Sequence, residues 1–166
     1  MAKTSYAIAL GSNRRSRHGS PAETLRAGLA ELRPVGVSRI HMTPALGPAG
    51  RGFANAVAIV ESKKEPDELL AGLKAMERAF GRRPGRRWGP RVLDLDIILW
   101  SEGPWDGPGP IVPHPEFRSR AFVLAPLAEL VPDWRDPLTG LTVRQLLSRL
   151  SRPRPIWRHP WNDDIP

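Results

Sequence analysis

At 166 residues, with no cysteine and a net charge of +8, the chain has room for one domain with a proper core but not for a second enzymatic domain of ordinary size. The lack of cysteine excludes disulfides and thiolate metal sites, no apolar run approaches the ~20 residues of a membrane span, and the N-terminus shows no signal-peptide core, so a soluble, cytoplasmic protein is expected. Its 21 Arg and 4 Lys would suit a nucleic acid or a nucleotide equally, and decide neither.

Ser5 to Leu10 reads as a strand ending in a Gly11-Ser12-Asn13 turn. Ser20 and Glu23 form a capping-box pattern with Pro21 at the first helical position. Leu25, Leu29 and Leu32 follow at helical spacing, which predicts a helix from Pro21 to about Leu32. Val35 to His41 and Phe53 to Glu61 read as strands, with the prolines and glycines between them marking a loop. Pro66 opens a second helix whose apolar stripe is Leu69, Leu73, Met76 and Phe80 and whose end is set by Gly81. Arg82, Arg83, Arg86, Arg87 and Arg91 then fall in ten residues without an acid, threaded by glycine and proline. Val92 to Trp100 is the next strand, and Gly103 to Pro110 is a Pro/Gly-rich excursion. Thr142 and Gln145 repeat the capping-box pattern before Leu146, Leu147 and Leu150, so a terminal helix is expected. Residues 1–152 are read as one domain and 153–166 as a C-terminal tail. The order strand, helix, strand, strand, helix, strand matches an α+β, ferredoxin-like antiparallel sheet with helices on one face, here with extra C-terminal elements. The other face would be left to ligands.

The chemistry concentrates around Asp94 and Asp96. In a strand these two point to one face while Leu93, Leu95, Ile97 and Leu99 point to the other, and the carboxylates lie roughly 6.5 to 7 Å apart along the chain. Such a pair is either a solvated acidic face or a site for a hard cation, and magnesium is held by one or two carboxylates together with substrate phosphates. The arginine run beside it is either a solvated basic loop or a set of planar donor forks matched to phosphate oxygens. Side by side, the two favour metal and polyphosphate chemistry.

The run from Arg87 to Ile98 resembles the signature of the 6-hydroxymethyl-7,8-dihydropterin pyrophosphokinase family. Further ordered matches are Ala9 to Asn13, Thr43 to Pro48, Phe53 to Val57, Val112 to Pro115 and Arg120 to Leu124, so the resemblance spans about residues 5–135. It implies transfer of pyrophosphate from ATP to a hydroxymethylated reduced pterin, with ATP as co-substrate and two Mg2+ held by Asp94 and Asp96. The catalytic set it implies is Arg82, Arg91, Asp94 and Asp96. The implied ATP contacts are Glu77, Arg82, Arg86, Trp88, Arg91, Ile97, His114 and Arg120. The implied pterin contacts are Thr43, Pro44, Leu46, Phe53, Asn55 and Phe122. By residue type alone His114 is equally a structural histidine in a Pro-His-Pro turn, Glu77 a solvated helix charge, and Phe53 and Phe122 core residues. Expected partners are ATP and the pterin, without nucleic acid or membrane, and nothing in the sequence sets an oligomeric state. The alternatives are an RNA-binding module, which shares this order of elements, and a pterin- or nucleotide-binding paralogue with a changed substrate.

Overall fold

The computed structural model describes residues 2–43, 52–81 and 92–152. Five strands, β1 (Thr4–Ser12), β2 (Gly36–Val37), β3 (His41–Thr43), β4 (Phe53–Ser62) and β5 (Asp94–Trp100), form one sheet in the order β2-β4-β1-β5, with β3 also paired to β4. Every pairing is antiparallel. Helices α1 (Pro21–Leu32) and α2 (Pro66–Ala79) connect β1 to β2 and β4 to β5, which gives the ferredoxin-like α+β arrangement.

The helix ends follow from local chemistry. At α1 the Ser20 hydroxyl accepts the Glu23 N–H and the Glu23 carboxylate accepts the Ser20 N–H, and at α4 (Val143–Ser151) Thr142 and Gln145 do the same. After α2 the chain leaves through Gly81 at φ +113°, a backbone angle that favours glycine. The predicted stripe of α2 lies on the core, with Leu73 and Phe80 buried and Leu69 and Met76 packed against them.

Two differences from the sequence reading decide where the site can be. The sheet has a core on each face, so the face opposite α1 and α2 is not left free. Helix α3 (Ala121–Leu130), α4 and a short 3-10 turn (Phe117–Ser119) cover its lower half through Phe117, Val123, Leu124, Leu127, Val143 and Leu146. The second difference is a bulge in β5. Ala7 pairs with Leu99 and Ile8 with Ile97, so Ile98 is an extra residue. The insertion reverses the alternation. Leu93, Leu95 and Ile97 join the core under α1 and α2, whereas Leu99, expected with them, turns to the core under α3 together with Ile98. The predicted strand from Val35 to His41 is likewise two short strands, and β1 continues through Gly11 and Ser12 where a turn was expected. No described helix is long and apolar enough to cross a membrane.

Candidate active site

Beyond the apolar core under α3, a row of residues lies in register across four strands. Asp94 on β5 is opposite Gly11 on β1, Gly11 is opposite Asn55 on β4, and Asn55 is opposite His41 on β3. Residues directly opposite in antiparallel strands project to the same face. Asp94 and Asn55 are therefore two strand spacings apart, roughly 10 Å, with no side chain between them. Neither Gly11 nor Glu116, which borders the same cleft, was singled out from sequence. The strand motif Ala9-Leu10-Gly11-Ser12-Asn13 carried the signal for Gly11, but its meaning depends on the register with β4.

One row further along, Asp96 is opposite Ala9. Asp94 and Asp96 form one wall of a cleft of about 390 Å³, and His114, Pro115, Glu116 and Arg120 form the other. The turn bearing His114 is tied to β5 by the His114 N–H, which donates to the Ile98 carbonyl at 3.0 Å. The Glu116 N–H donates to His114 Nδ1 at 3.2 Å, which leaves the ring proton on Nε2. The Arg120 guanidinium is paired with the Glu116 carboxylate and lies 5.6 Å from the centre of the Phe122 ring.

Burial raises the Asp96 carboxyl above the ordinary aspartate value, and the neighbouring Asp94 charge pushes it the same way, against a weaker pull from His114 and Lys74. Burial lowers the His114 imidazole, an effect that Asp96 opposes and Arg120 reinforces. Among the described residues no three histidines or carboxylates gather as a metal cluster. A cation here would draw two protein ligands from β5 and the rest from phosphate and water, which is the habit of magnesium.

Phe53 and Phe122 are not core residues, being 45% and 46% exposed, in contrast to the fully buried Phe117. Asn55, two residues after Phe53 on β4, is buried, and Thr43 on β3 is opposite Phe53. Two implied ATP contacts are placed elsewhere. Ile97 faces the core under α1 and α2, so only its backbone could meet a nucleotide. Glu77 is not a solvated helix charge. It has no exposed surface, and its carboxylate accepts the Leu95 N–H at 2.8 Å and Lys74 Nζ at 3.0 Å, tying α2 to the outer edge of the acidic strand. Pro44, Leu46, Arg82, Arg86, Trp88 and Arg91 lie outside the described residues.

The face that an RNA-binding module would use carries Ser5, Ala7, Ala9 and Gly11 on β1, with no aromatic among them, and α3 covers part of it. Nothing in the fold favours that alternative.

Residues 7–132 match the family described as 7,8-dihydro-6-hydroxymethylpterin-pyrophosphokinase. A 2-amino-4-hydroxy-6-hydroxymethyldihydropteridine pyrophosphokinase of Pseudomonas aeruginosa is 44% identical over 137 residues, covering 78% of this chain and 82% of that protein. The protein of the same description from Synechocystis is 36% identical over 138 residues, covering 80% and 71%. Among solved structures, a Plasmodium falciparum HPPK-DHPS chain superposes with a TM-score of 0.70 at 12% identity, a likeness of fold, over 89% of this chain and 44% of that much longer one. The chain belongs to the 7,8-dihydro-6-hydroxymethylpterin-pyrophosphokinase family.

Proposed function

We propose that the protein transfers the terminal pyrophosphoryl unit of ATP to the hydroxymethyl group of 6-hydroxymethyl-7,8-dihydropterin, releasing AMP, as a step of folate biosynthesis. The observation that carries this reading is the row Asp94, Gly11, Asn55 beside the His114 and Arg120 wall, in a chain of this family. The substrate hydroxyl oxygen bonds to the β-phosphorus, the bond from that phosphorus to the α,β-bridging oxygen breaks, and AMP leaves with the bridging oxygen while the hydroxyl proton is released. No covalent enzyme intermediate is needed, so the protein's work is positioning and charge stabilisation.

The donor set fits a hard cation, since two carboxylates line one cleft and Asp96 is raised by burial and by the neighbouring Asp94 charge, both of which a bound cation would offset. Asp94 and Asp96 would hold two Mg2+, which when bound neutralise the triphosphate and acidify the attacking hydroxyl. His114 donates from Nε2, and Arg120 exchanges Glu116 for a phosphate oxygen. Arg82 and Arg91, helped by Arg86 or Arg83, would stabilise charge on the group in transit, and Trp88 would serve ATP binding. Phe53 and Phe122 stack on the pterin, the Asn55 amide offers donors and an acceptor to its edge, and Thr43, Pro44 and Leu46 add contacts from their loop. The remaining roles in ATP binding fall to the Ile97 backbone and, through its hold on β5, to Glu77.

The test is release of AMP by the purified protein with ATP, a magnesium salt and the dihydropterin, with the pterin pyrophosphate appearing in equal amount. ATP binding without AMP release would remove the enzyme and leave a binding paralogue.

A further inference from the structure

The two aromatic residues proposed to sandwich the pterin belong to different elements, Phe53 to β4 and Phe122 to α3, so the width of the slot depends on what joins α3 to this edge of the sheet. Apolar packing of Leu124 and Leu127 on Val57 and Ile59 seats α3 on the sheet, and the polar connection at that edge runs through Glu129. It lies seven residues after Phe122 on α3, two helical turns on, and so on the same helix face. One carboxylate oxygen accepts the Arg39 N–H at 2.9 Å, and the other pairs with His41 Nε2. Ile40, between these two residues, packs into the core on the opposite face of the sheet. The approach to β3 is thus held from both sides. His41 is opposite Asn55 and Thr43 is opposite Phe53, so a shift of this short strand moves the pterin wall directly. An exposed ion pair by itself contributes little, but a carboxylate spanning a backbone amide and an imidazole fixes a geometry.

We infer that Glu129 is a positioning residue for the pterin, setting the distance between the α3 and β4 walls of the slot without touching the substrate. The inference rests on the proposed pterin site. Pterin binding, followed by its fluorescence, is compared with binding of a non-hydrolysable ATP analogue in E129A, E129Q, H41A, the double variant E129A/H41A and F122A, each checked for its thermal midpoint. E129A weakens pterin binding about tenfold with ATP-analogue binding unchanged, because a small misplacement acts only on the slot. E129Q recovers part of the loss, since its amide oxygen still accepts the Arg39 N–H. The double variant is no worse than E129A, because His41 acts through the same carboxylate. Equal loss of both ligands in E129A, or additive effects of E129A and H41A, overturns the inference. If F122A binds pterin normally, the slot itself is misassigned, whereas weakened F122A with unaffected E129A removes only the role of Glu129.

Discussion

A β-carbon on Gly11 would sit 3.3 Å from Asn55 Oδ1 and 3.9 Å from the Ala54 carbonyl, so the floor of the row is open only because glycine occupies it. Gly11→Val places two methyl groups where the substrates would meet. It is expected to lower kcat/KM for the pterin by about a hundredfold or more while the sheet still forms, since valine suits a strand. Unchanged kcat/KM would show that the substrates do not cross this row. The aspartates make the complementary case. Asp96 is held partly buried beside a like charge, an arrangement that costs stability in the absence of a cation. Asp94→Ala and Asp96→Asn should each reduce turnover by about a thousandfold or more, in the range of lost preorganised charge stabilisation. In the absence of magnesium, Asp96→Asn should also raise the thermal midpoint, because the amide removes a buried and repelled charge. A fall in the midpoint would mean that Asp96 is structural, and full activity in both variants would remove the metal assignment.

The segment from the 3-10 turn to α4 is locked by Asp136. Its carboxylate has no exposed surface and accepts from Arg118 Nη2 at 2.8 Å, the Leu138 N–H at 3.0 Å and the Thr139 hydroxyl at 2.7 Å. Burial alone would raise this carboxyl, but the hydrogen bonds and the Arg118 charge outweigh it and bring it down to about 2 from 3.8. A value depressed on folding gives stability that is present above 3.8 and lost as pH falls through the folded value of about 2. That contribution is on the order of 2 kcal/mol. Asp136→Asn should lose stability of this order at neutral pH and flatten the acid limb of the stability curve, read by denaturant unfolding from pH 6 to about 2. An unaltered acid limb would place the acid sensitivity elsewhere. This clamp could not be read from sequence, and the reason extends to the elements around it. Helices α1, α2 and α4 announce their ends through Ser20 and Glu23, Pro66 and Gly81, Thr142 and Gln145, signals that act within four residues of one another or of the helix end. Helix α3 has no such marks. Its sequence AFVLAPLAEL is apolar on nearly every side, so no stripe stands out, and Pro126 reads as a breaker. The bulge in β5 was hidden in the same way, because Ile97, Ile98 and Leu99 are three apolar residues in succession and any of them could face either core. The Asp94 and Asp96 pair was legible because polar and apolar residues alternate around it. The burial of Glu77 was not, since its bond to the backbone N–H of Leu95, which ties it to β5, leaves no trace in side-chain pattern.

At the scale of the whole molecule the sheet is a partition between two cores, and the candidate cleft lies where the second core stops short. Beneath α1 and α2 the face is filled from Tyr6 and Val60 to Leu10 and Ala54. Under α3 and α4 it is filled only as far as Val57 and Ala9, whose row ends on Asp96, and the next row, Asn55, Gly11 and Asp94, lies outside that core. The second core therefore sets the position of the His114 and Arg120 wall, and α4 is part of its support through the buried Val143 and Leu146. We propose that residues 1–152 suffice for folding and turnover, as the reading of 153–166 as a tail requires. A chain ending at Arg152 should match the full chain in thermal midpoint and in kcat/KM. A chain ending at Leu141 loses the two buried side chains of α4 and uncovers their neighbours. By the burial of two aliphatic side chains alone it should lose about 3 to 6 kcal/mol. Its AMP release should fall before the β1, β4 and β5 amides lose hydrogen-exchange protection, because α3 and the His114 turn loosen first while the other core holds the sheet. Simultaneous loss of protection throughout the sheet would show that the two cores form a single cooperative unit, and a chain ending at Arg152 that fails to fold would place essential contacts beyond it.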